Sequence, residues 1–502
     1  MLNYVKSALK NSLIYSTGNI SIKLIGIILV PLYTKHLSLQ EYGVLSLLEV
    51  TAQVLIALWG LNLYSALFRW YWDKNYLERQ QAMFFTVLLT LVFSGMIMVG
   101  GVIGIADKLS GLLLGTEIYA GVIRLMALAA GLQILMELVT GLMRIQERAL
   151  LYALTTILKF VTDLSFTVFF IVKLQLGIAG IYKAQIIGYL VYFLAVSGYL
   201  LKNIQWRLEL RILVEMLKFS LPLMLSSVAS VLLNVADRFC LKVFGQLAFV
   251  GLYSLGFKIA NTLNVLVVRS ANLAISPMIY KMMDAPGNKR FYAKVMTYLG
   301  YGTVLCALAL SVYSLEIVKV LAKNQEYWAA YRVIPLIALA IVFGSLKDSA
   351  LSGLNIKKKS SIIAAIIALC SMLNVILNGL FIHFFNYLGA AIAGLVTQFL
   401  FFLLIYRNAQ KHYPIPYEIT KIFKMIGVAI ICYIVASWTN HLATLYRVIL
   451  KSGIIAVFPF LLFLLNFYEP VELTVLKGAW RKWRNPLNWK KNLSKIKFSD
   501  KQ

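Results

Sequence analysis

The chain has 502 residues, 61% of them hydrophobic and 14% charged, with a mean hydropathy of +0.80 and a formal net charge of +28. Those proportions exclude a water-soluble globule. The four cysteines (Cys240, Cys306, Cys370, Cys432) have neither a disulfide framework nor a metal-ligand spacing, and the four histidines (His36, His383, His412, His441) form no catalytic constellation with carboxylates.

A bilayer core of roughly 30 Å takes about 20 apolar residues per helix, and such runs recur from Ser12 to Phe467. The expected fold class is therefore all-α integral membrane, with about 14 transmembrane helices. The spans are read at 12–34, 43–70, 80–106, 118–142, 149–172, 178–201, 217–240, 249–276, 292–320, 330–354, 360–383, 388–406, 422–440 and 446–467. The first follows Lys6 and Lys10 but is too long for a signal-peptide core, so it reads as a permanent span.

Charges inside a span cost about 2.5–3.5 kcal/mol each at the helix centre, so every one needs a reason. On the first span Ser12, Ser16, Asn19 and Lys23 form one polar stripe at helical spacing. The fifth carries Lys159 and Asp163 at i, i+4, and the fourth carries Glu137. On the seventh, Ser220, Ser227, Asn234 and Arg238 make a second stripe, with Asp237 adjacent. On the eighth, Lys258, Asn261, Thr262, Arg269 and Asn272 gather on one side, and the tenth holds Lys347 beside Asp348. Lys159–Asp163, Asp237–Arg238 and Lys347–Asp348 read equally as pairs that glue helices together and as cavity groups. Lys23, Lys258 and Arg269 have no acidic neighbour at helical spacing, and the natural partner of such cations is a phosphate.

The basic residues alternate with the spans. With the N-terminus inside, about 31 of the 48 Lys and Arg fall on the cytoplasmic side and roughly nine on the other, so both termini are expected in the cytoplasm. Topology and anionic headgroups then explain the excess charge, and nucleic acid is not needed as a partner. Beyond the last span, Leu476, Trp480, Trp483 and Leu487 suit either a short interfacial helix or a disordered basic tail.

Similar segments recur at a near-constant offset. Lys10-Asn-Ser-Leu13 resembles Lys218-Phe-Ser-Leu221, and Gly43 to Leu47 resembles Gly251 to Leu255, both 208 residues apart. Six helices separate equivalent points, so the halves are expected to share one orientation around an axis along the membrane normal, with a site between them. The division expected is an N-terminal six-helix lobe over 1–205, a second over 206–411, a two-helix hairpin over 412–468 and a basic tail over 469–502.

Pro31-Leu-Tyr33-Thr34, Leu37-Ser38, Glu41-Tyr42-Gly43, Phe219-Ser-Leu-Pro222, Asp237-Arg238 and Gly251-Leu-Tyr-Ser254 together resemble the polysaccharide flippases of the Wzx type. These belong to the superfamily of multidrug, oligosaccharidyl-lipid and polysaccharide exporters, and the likeness covers nearly the whole chain. It implies a MATE-like pair of six-helix bundles around a central cavity that opens to either face in turn. It further implies passage of an undecaprenyl-pyrophosphate-linked oligosaccharide across a prokaryotic cell membrane, with a monomer acting beside polysaccharide polymerase or export machinery. By position on the first and eighth helices it points to Lys23, Lys258 and Arg269 for the pyrophosphate, with Asn19, Asn261 and Asn272 beside them. Lys159, Asp163, Asp237, Arg238, Lys347, Asp348 and Glu137 are the further cavity or coupling candidates.

No nucleotide-binding loop of the G-x-x-x-x-G-K-[ST] kind occurs, so the driving force is either coupling to H+ or Na+ or consumption of the product, with no metal or other cofactor called for. Two rivals remain: a cation-coupled multidrug exporter of the same superfamily, which would favour a carboxylate-lined cavity, and a membrane-embedded polymerase or ligase, which would need an acid–base cluster on an outer loop.

Overall fold

The computed structural model describes residues 26, 28–283, 285–357, 359–470 and 472–474. Most of the first expected span, with Asn19 and Lys23, lies outside the described residues, as does nearly all of the basic tail with Leu476, Trp480, Trp483 and Leu487. Among the described residues, 13 helices are long and apolar enough to cross a membrane, and they correspond to the second to fourteenth expected spans.

The described chain begins with a short helix, α1 (Val30–His36), and continues through α2 (Leu39–Trp59), α3 (Leu63–Trp70), α4 (Gln80–Gly104), α5 (Ala106–Leu114) and α6 (Ala120–Ile145). Then come α7 (Ala149–Val168), α8 (Gly177–Lys202) and α9 (Leu210–Phe244). Next, α10 (Leu247–Leu263) passes through a π turn (Asn264–Arg269) into α11 (Ser270–Lys281). The remainder is α12 (Asn288–Val312), α13 (Ser314–Leu321), α14 (Ile334–Ile356), α15 (Ser360–Phe385), α16 (Tyr387–His412), α17 (Ile419–Trp438) and α18 (Thr444–Leu464).

The residues of the family-like motifs have local physical jobs. Pro31 sits in the first turn of α1, where its missing N–H costs nothing. Ser38 and Glu41 form a capping box that starts α2, the Ser38 hydroxyl accepting from the Glu41 amide and the Glu41 carboxylate accepting from the Ser38 amide at 2.8 Å. Gly43 and Gly251 let α2 and α10 cross backbone to backbone: a Cβ on Gly43 would stand 2.1 Å from the Leu247 carbonyl oxygen, and one on Gly251 2.4 Å from that of Leu39. The contacts are reciprocal, and one turn further on the hydroxyls of Ser46 and Ser254 share a hydrogen bond of 2.6 Å. Leu39 and Leu247, Gly43 and Gly251, and Ser46 and Ser254 are each 208 residues apart, so the positions that match in sequence are the positions that meet.

The same end of the molecule carries a second set of contacts. Tyr327, fully buried, donates to the carbonyls of Leu37 and Ser38 at 3.0 and 2.9 Å and packs edge-on against Tyr42. Thr34 accepts from the Lys323 amide at 3.2 Å. The C-terminal end of α1 is thereby fastened to the segment after α13, across almost three hundred residues of sequence.

Two departures from the sequence reading bear on the site. The span expected at 43–70 is not one helix: α2 ends at Trp59, and Leu61 and Asn62 take left-handed φ angles of 50° and 49° to make an elbow before α3. The long α9, 35 residues and so about 52 Å, contains Pro222, which removes one helical hydrogen bond and permits bending.

The last two helices pack as a hairpin against α12. Two polar clusters clamp it. On one face the Lys294 ammonium lies 3.0 Å from Glu418 and 3.5 Å from Glu472, with Lys421 2.9 Å from Glu418. On the opposite face Glu316 of α13 receives Lys451 at 2.9 Å and Arg447 at 2.6 Å, both from α18.

Candidate functional site

A cavity of about 740 Å³ lies between α2, α9 and α10 and runs to the π turn after α10. Helix α2 contributes Glu49 and Gln53, α9 contributes Asn234 and Arg238, and α10 with its π turn contributes Lys258, Asn261 and Arg269. The π turn widens the helix by one residue per turn just before Arg269, a distortion that recurs at functional sites. At one end the cavity is closed by the α2–α10 crossing, since Tyr42, Ser46 and Ser254 form its wall there.

Among the described residues, three cations, Arg238, Lys258 and Arg269, thus face one carboxylate, Glu49, in a space walled by membrane helices. Lys258, which has no acidic neighbour at helical spacing on its own helix, meets one from another. Glu49 approaches from α2 to 3.8 Å, and the rings of Tyr33 and Tyr42 lie 5.9 Å from its ammonium. At 3.8 Å the pair is loose, and its groups keep part of their surface open, 25% for Lys258 and 38% for Glu49. Arg269 is exposed and, among the described residues, makes no ion pair. Arg238 is buried, donating to the Ser254 hydroxyl at 3.3 Å with its guanidinium 4.5 Å from the Phe257 ring.

The neighbours Asp237 and Arg238 do not pair as expected. Successive helical residues point about 100° apart, so Asp237 turns away from the cationic cavity. It faces a second cavity of about 210 Å³ between α9, α10, α14, α15 and α16. There the buried Asp237 carboxylate accepts from the Tyr253 hydroxyl at 2.6 Å and the Asn378 amide at 2.9 Å. Asn378 also donates to Asn374 at 3.1 Å, and Asn374 to Thr397 at 3.3 Å. The side-chain oxygens of Asn378 and Gln398 are buried with no hydrogen-bond partner, an arrangement that leaves oxygen donors without a cation or proton to satisfy them. Asn374, Asn378 and Gln398 were not among the sequence candidates; the signal was a pair of amides at i, i+4 within one of the most apolar spans.

Lys347 and Asp348, 3.2 Å apart, line this second cavity too. Asn272, expected beside Arg269 in the main cavity, instead donates to Asp348 at 3.4 Å and is not part of that cavity's wall. The π turn, which ends at Arg269, intervenes between Lys258 and Asn261 on α10 and Asn272 on α11, and a stripe extrapolated at 100° per residue drifts across it.

Lys159 and Asp163 pair at 2.5 Å as their spacing predicts, with the ammonium 4.0 Å from the Tyr189 ring, and they line none of these cavities. A Cβ on Gly188 would meet the Asp163 carboxylate at 1.7 Å, so this pair relies on a glycine opposite. Glu137 lines a third recess, of about 270 Å³, which shares Gln53 and Gln133 with the main cavity.

A model of the family described as "Polysaccharide biosynthesis protein" matches residues 8–283, more than half of the chain. No curated protein sequence matches it. Among solved structures, the lipid II flippase MurJ in an inward closed conformation superposes with a TM-score of 0.69 at 12% identity, over 90% of this chain and 99% of that one. An inward-facing multidrug resistance MATE family transporter of the MOP superfamily gives 0.61 at 14% identity, over 81% and 99%. The Vibrio cholerae MATE transporter VcmN, in a mutant form, gives 0.54 at 18%, over 81% and 97%. All three are transporters, and at these identities they define the fold alone. By the family match and by that fold, this multi-pass membrane chain belongs to the polysaccharide biosynthesis protein family and has the architecture shared by MurJ and MATE transporters.

Proposed function

We propose that this protein is a flippase that carries an undecaprenyl-pyrophosphate-linked oligosaccharide from the cytoplasmic to the outer leaflet by alternating access. The observation that carries the reading is the cavity in which Arg238, Lys258 and Arg269 face a single carboxylate, closed at one face of the membrane domain. An excess of cations over anions is costly inside a membrane domain, and a doubly charged pyrophosphate is the ligand that offsets it.

Lys258 and Arg269 hold the phosphates, with Asn261 donating beside them, and Lys23 joins them from the first helix. The substrate displaces Glu49 from Lys258, which their loose 3.8 Å contact permits. The prenyl chain stays in lipid, and the apolar groove of about 250 Å³ between α12, α14 and α17 gives it a track along the terminal hairpin. The lobes over 1–205 and 206–411 rock about the α2–α10 crossing, the hairpin over 412–468 moving with the second, and the tail over 469–502 stays in the cytoplasm with the N-terminus. The closed face is then the outer one. An inside-negative potential favours outward movement of the anion by about 2.3 kcal/mol per charge per 100 mV. Asp237, with Asn374 and Asn378, binds the coupling H+ or Na+, and no covalent chemistry takes place. The multidrug reading is disfavoured by the same cations, which repel an organic cation.

The test is flipping of a fluorescent polyprenyl-pyrophosphate sugar in proteoliposomes. Wild type is expected to expose the label to an external quencher or enzyme. Arg269→Ala is expected to slow this by about tenfold or more, the loss of one charge-assisted phosphate contact. Absence of transport by the wild type, or equal rates in Arg269→Ala, overturns the proposal.

A further inference from the structure

The third recess has a different chemistry from the cavity it adjoins. Its polar lining is Gln53, Asn62, Tyr64, Gln133, Glu137 and Ser227, without a lysine or arginine. Gln53 and Gln133 belong to both walls, so the two spaces adjoin, and their chemistry changes from cationic to carboxamide, phenol and carboxylate across those two side chains.

The elbow at Leu61 and Asn62 builds this recess. It turns the Asn62 amide toward α9, where it donates to the Ser227 hydroxyl at 3.2 Å, while Ser65 donates to the Asn62 oxygen at 2.6 Å. Gln133 is oriented from both ends, donating to Glu137 at 3.1 Å and accepting from the Tyr189 hydroxyl at 3.2 Å. The frame is therefore fixed, yet its inward groups are not used up. Glu137 accepts one hydrogen bond, and Gln53 and the Tyr64 hydroxyl make none among the described residues. Spare donors and acceptors beside an aromatic ring, on a frame held by the Asn62–Ser227 and Gln133–Tyr189 hydrogen bonds, suit a polyhydroxylated ligand.

Resting on the flippase reading above, we infer that this recess is the saccharide subsite for the sugar next to the pyrophosphate, and that it selects a neutral or N-acylated pyranose. The Glu137 carboxylate accepts from sugar hydroxyl or acylamino N–H groups. The Gln53 amide both donates and accepts, and the Tyr64 ring supports the C–H face. Arg144, whose guanidinium lies 5.9 Å from the Tyr64 ring and donates to the Thr140 carbonyl at 3.4 Å, is not part of the lining, so a uronic acid here would place its carboxylate against Glu137 without a cation in contact.

The experiment measures binding to the full chain in nanodiscs of three short-chain polyprenyl pyrophosphates: one without sugar, one carrying an N-acetylhexosamine and one carrying a hexuronic acid. The N-acetylhexosamine probe is expected to bind wild type about tenfold more tightly than the sugar-free probe, the gain from one or two additional satisfied hydrogen bonds. The hexuronic acid probe is expected to show no such gain. In Gln53→Ala and in Glu137→Gln the ratio of sugar-bearing to sugar-free affinity should fall toward one, and Glu137→Gln should also narrow the gap between the two sugars. A wild-type ratio near one, or a ratio that neither substitution lowers, overturns the subsite while leaving pyrophosphate recognition in place. Failure of all three probes to bind overturns the flippase reading and the subsite together.

Discussion

The α2–α10 crossing offers a perturbation whose size is set by geometry. A methyl group on Gly251 would stand 2.4 Å from the Leu39 oxygen and one on Gly43 2.1 Å from the Leu247 oxygen, whereas ordinary contact begins at 3.4 Å. Neither oxygen is on a flexible side chain, so Gly43→Ala or Gly251→Ala must part the helices by about 1 Å. Overpacking of this kind costs about 1–3 kcal/mol, all of it charged to the state in which the face is closed. The equilibrium between closed and open outer face should therefore shift by roughly 5- to 150-fold. The assay is the rate at which a membrane-impermeant maleimide added outside labels Asn234→Cys in the cavity, in a chain whose four native cysteines are replaced. Either alanine should speed labelling. A cysteine pair at Ser46 and Ser254, whose hydroxyls lie 2.6 Å apart, should do the reverse on oxidation and stop transport until reduced. Labelling unchanged in both alanine variants, with an oxidised pair that still transports, would refute the view that this crossing is the outer seal.

Three further outcomes follow from side-chain geometry. Gly188→Ala should separate Asp163 from Lys159, because the new methyl occupies the carboxylate's place, and lower the thermal midpoint of the purified protein by an amount corresponding to about 1–3 kcal/mol. Asp237→Asn should leave transport insensitive to an imposed Na+ or H+ gradient, measured in proteoliposomes as the ratio of rates with and without the gradient, whereas Lys347→Ala should preserve that ratio. Near the start of α17, burial raises the Glu418 carboxyl, but hydrogen bonds from Lys421, Lys294 and Thr297 outweigh it and hold the group at about 2. The folded-state value is thus depressed: its stabilisation is full above the ordinary carboxylate range and is lost as pH falls from about 4.5 toward 2. Glu418→Gln should remove that acid-dependent part of the thermal stability.

The spans were legible because lipid demands long apolar runs, which hydropathy reports directly. The elbow at Gly60 to Asn62 was not, since its residues interrupt the helix without interrupting the apolar composition. Lys258 and Arg269 could be picked out as cations on an apolar helix, and both line the main cavity. The Glu49–Lys258 approach could not, because it joins helices far apart in sequence and has no periodic trace. Asn272 was misplaced by assuming a straight helix across a π turn. Asn374 and Asn378 went unread because attention to charge passes over neutral amides, although a buried amide in lipid needs a partner nearly as much.

The most direct measurement is a structure of the full chain in nanodiscs with a short-chain polyprenyl pyrophosphate bound. The account predicts phosphate density within ion-pair distance of both the Lys258 ammonium and the Arg269 guanidinium, with Glu49 moved off Lys258. Density lodged elsewhere, with Lys258 still beside Glu49 and Arg269 free, would contradict it.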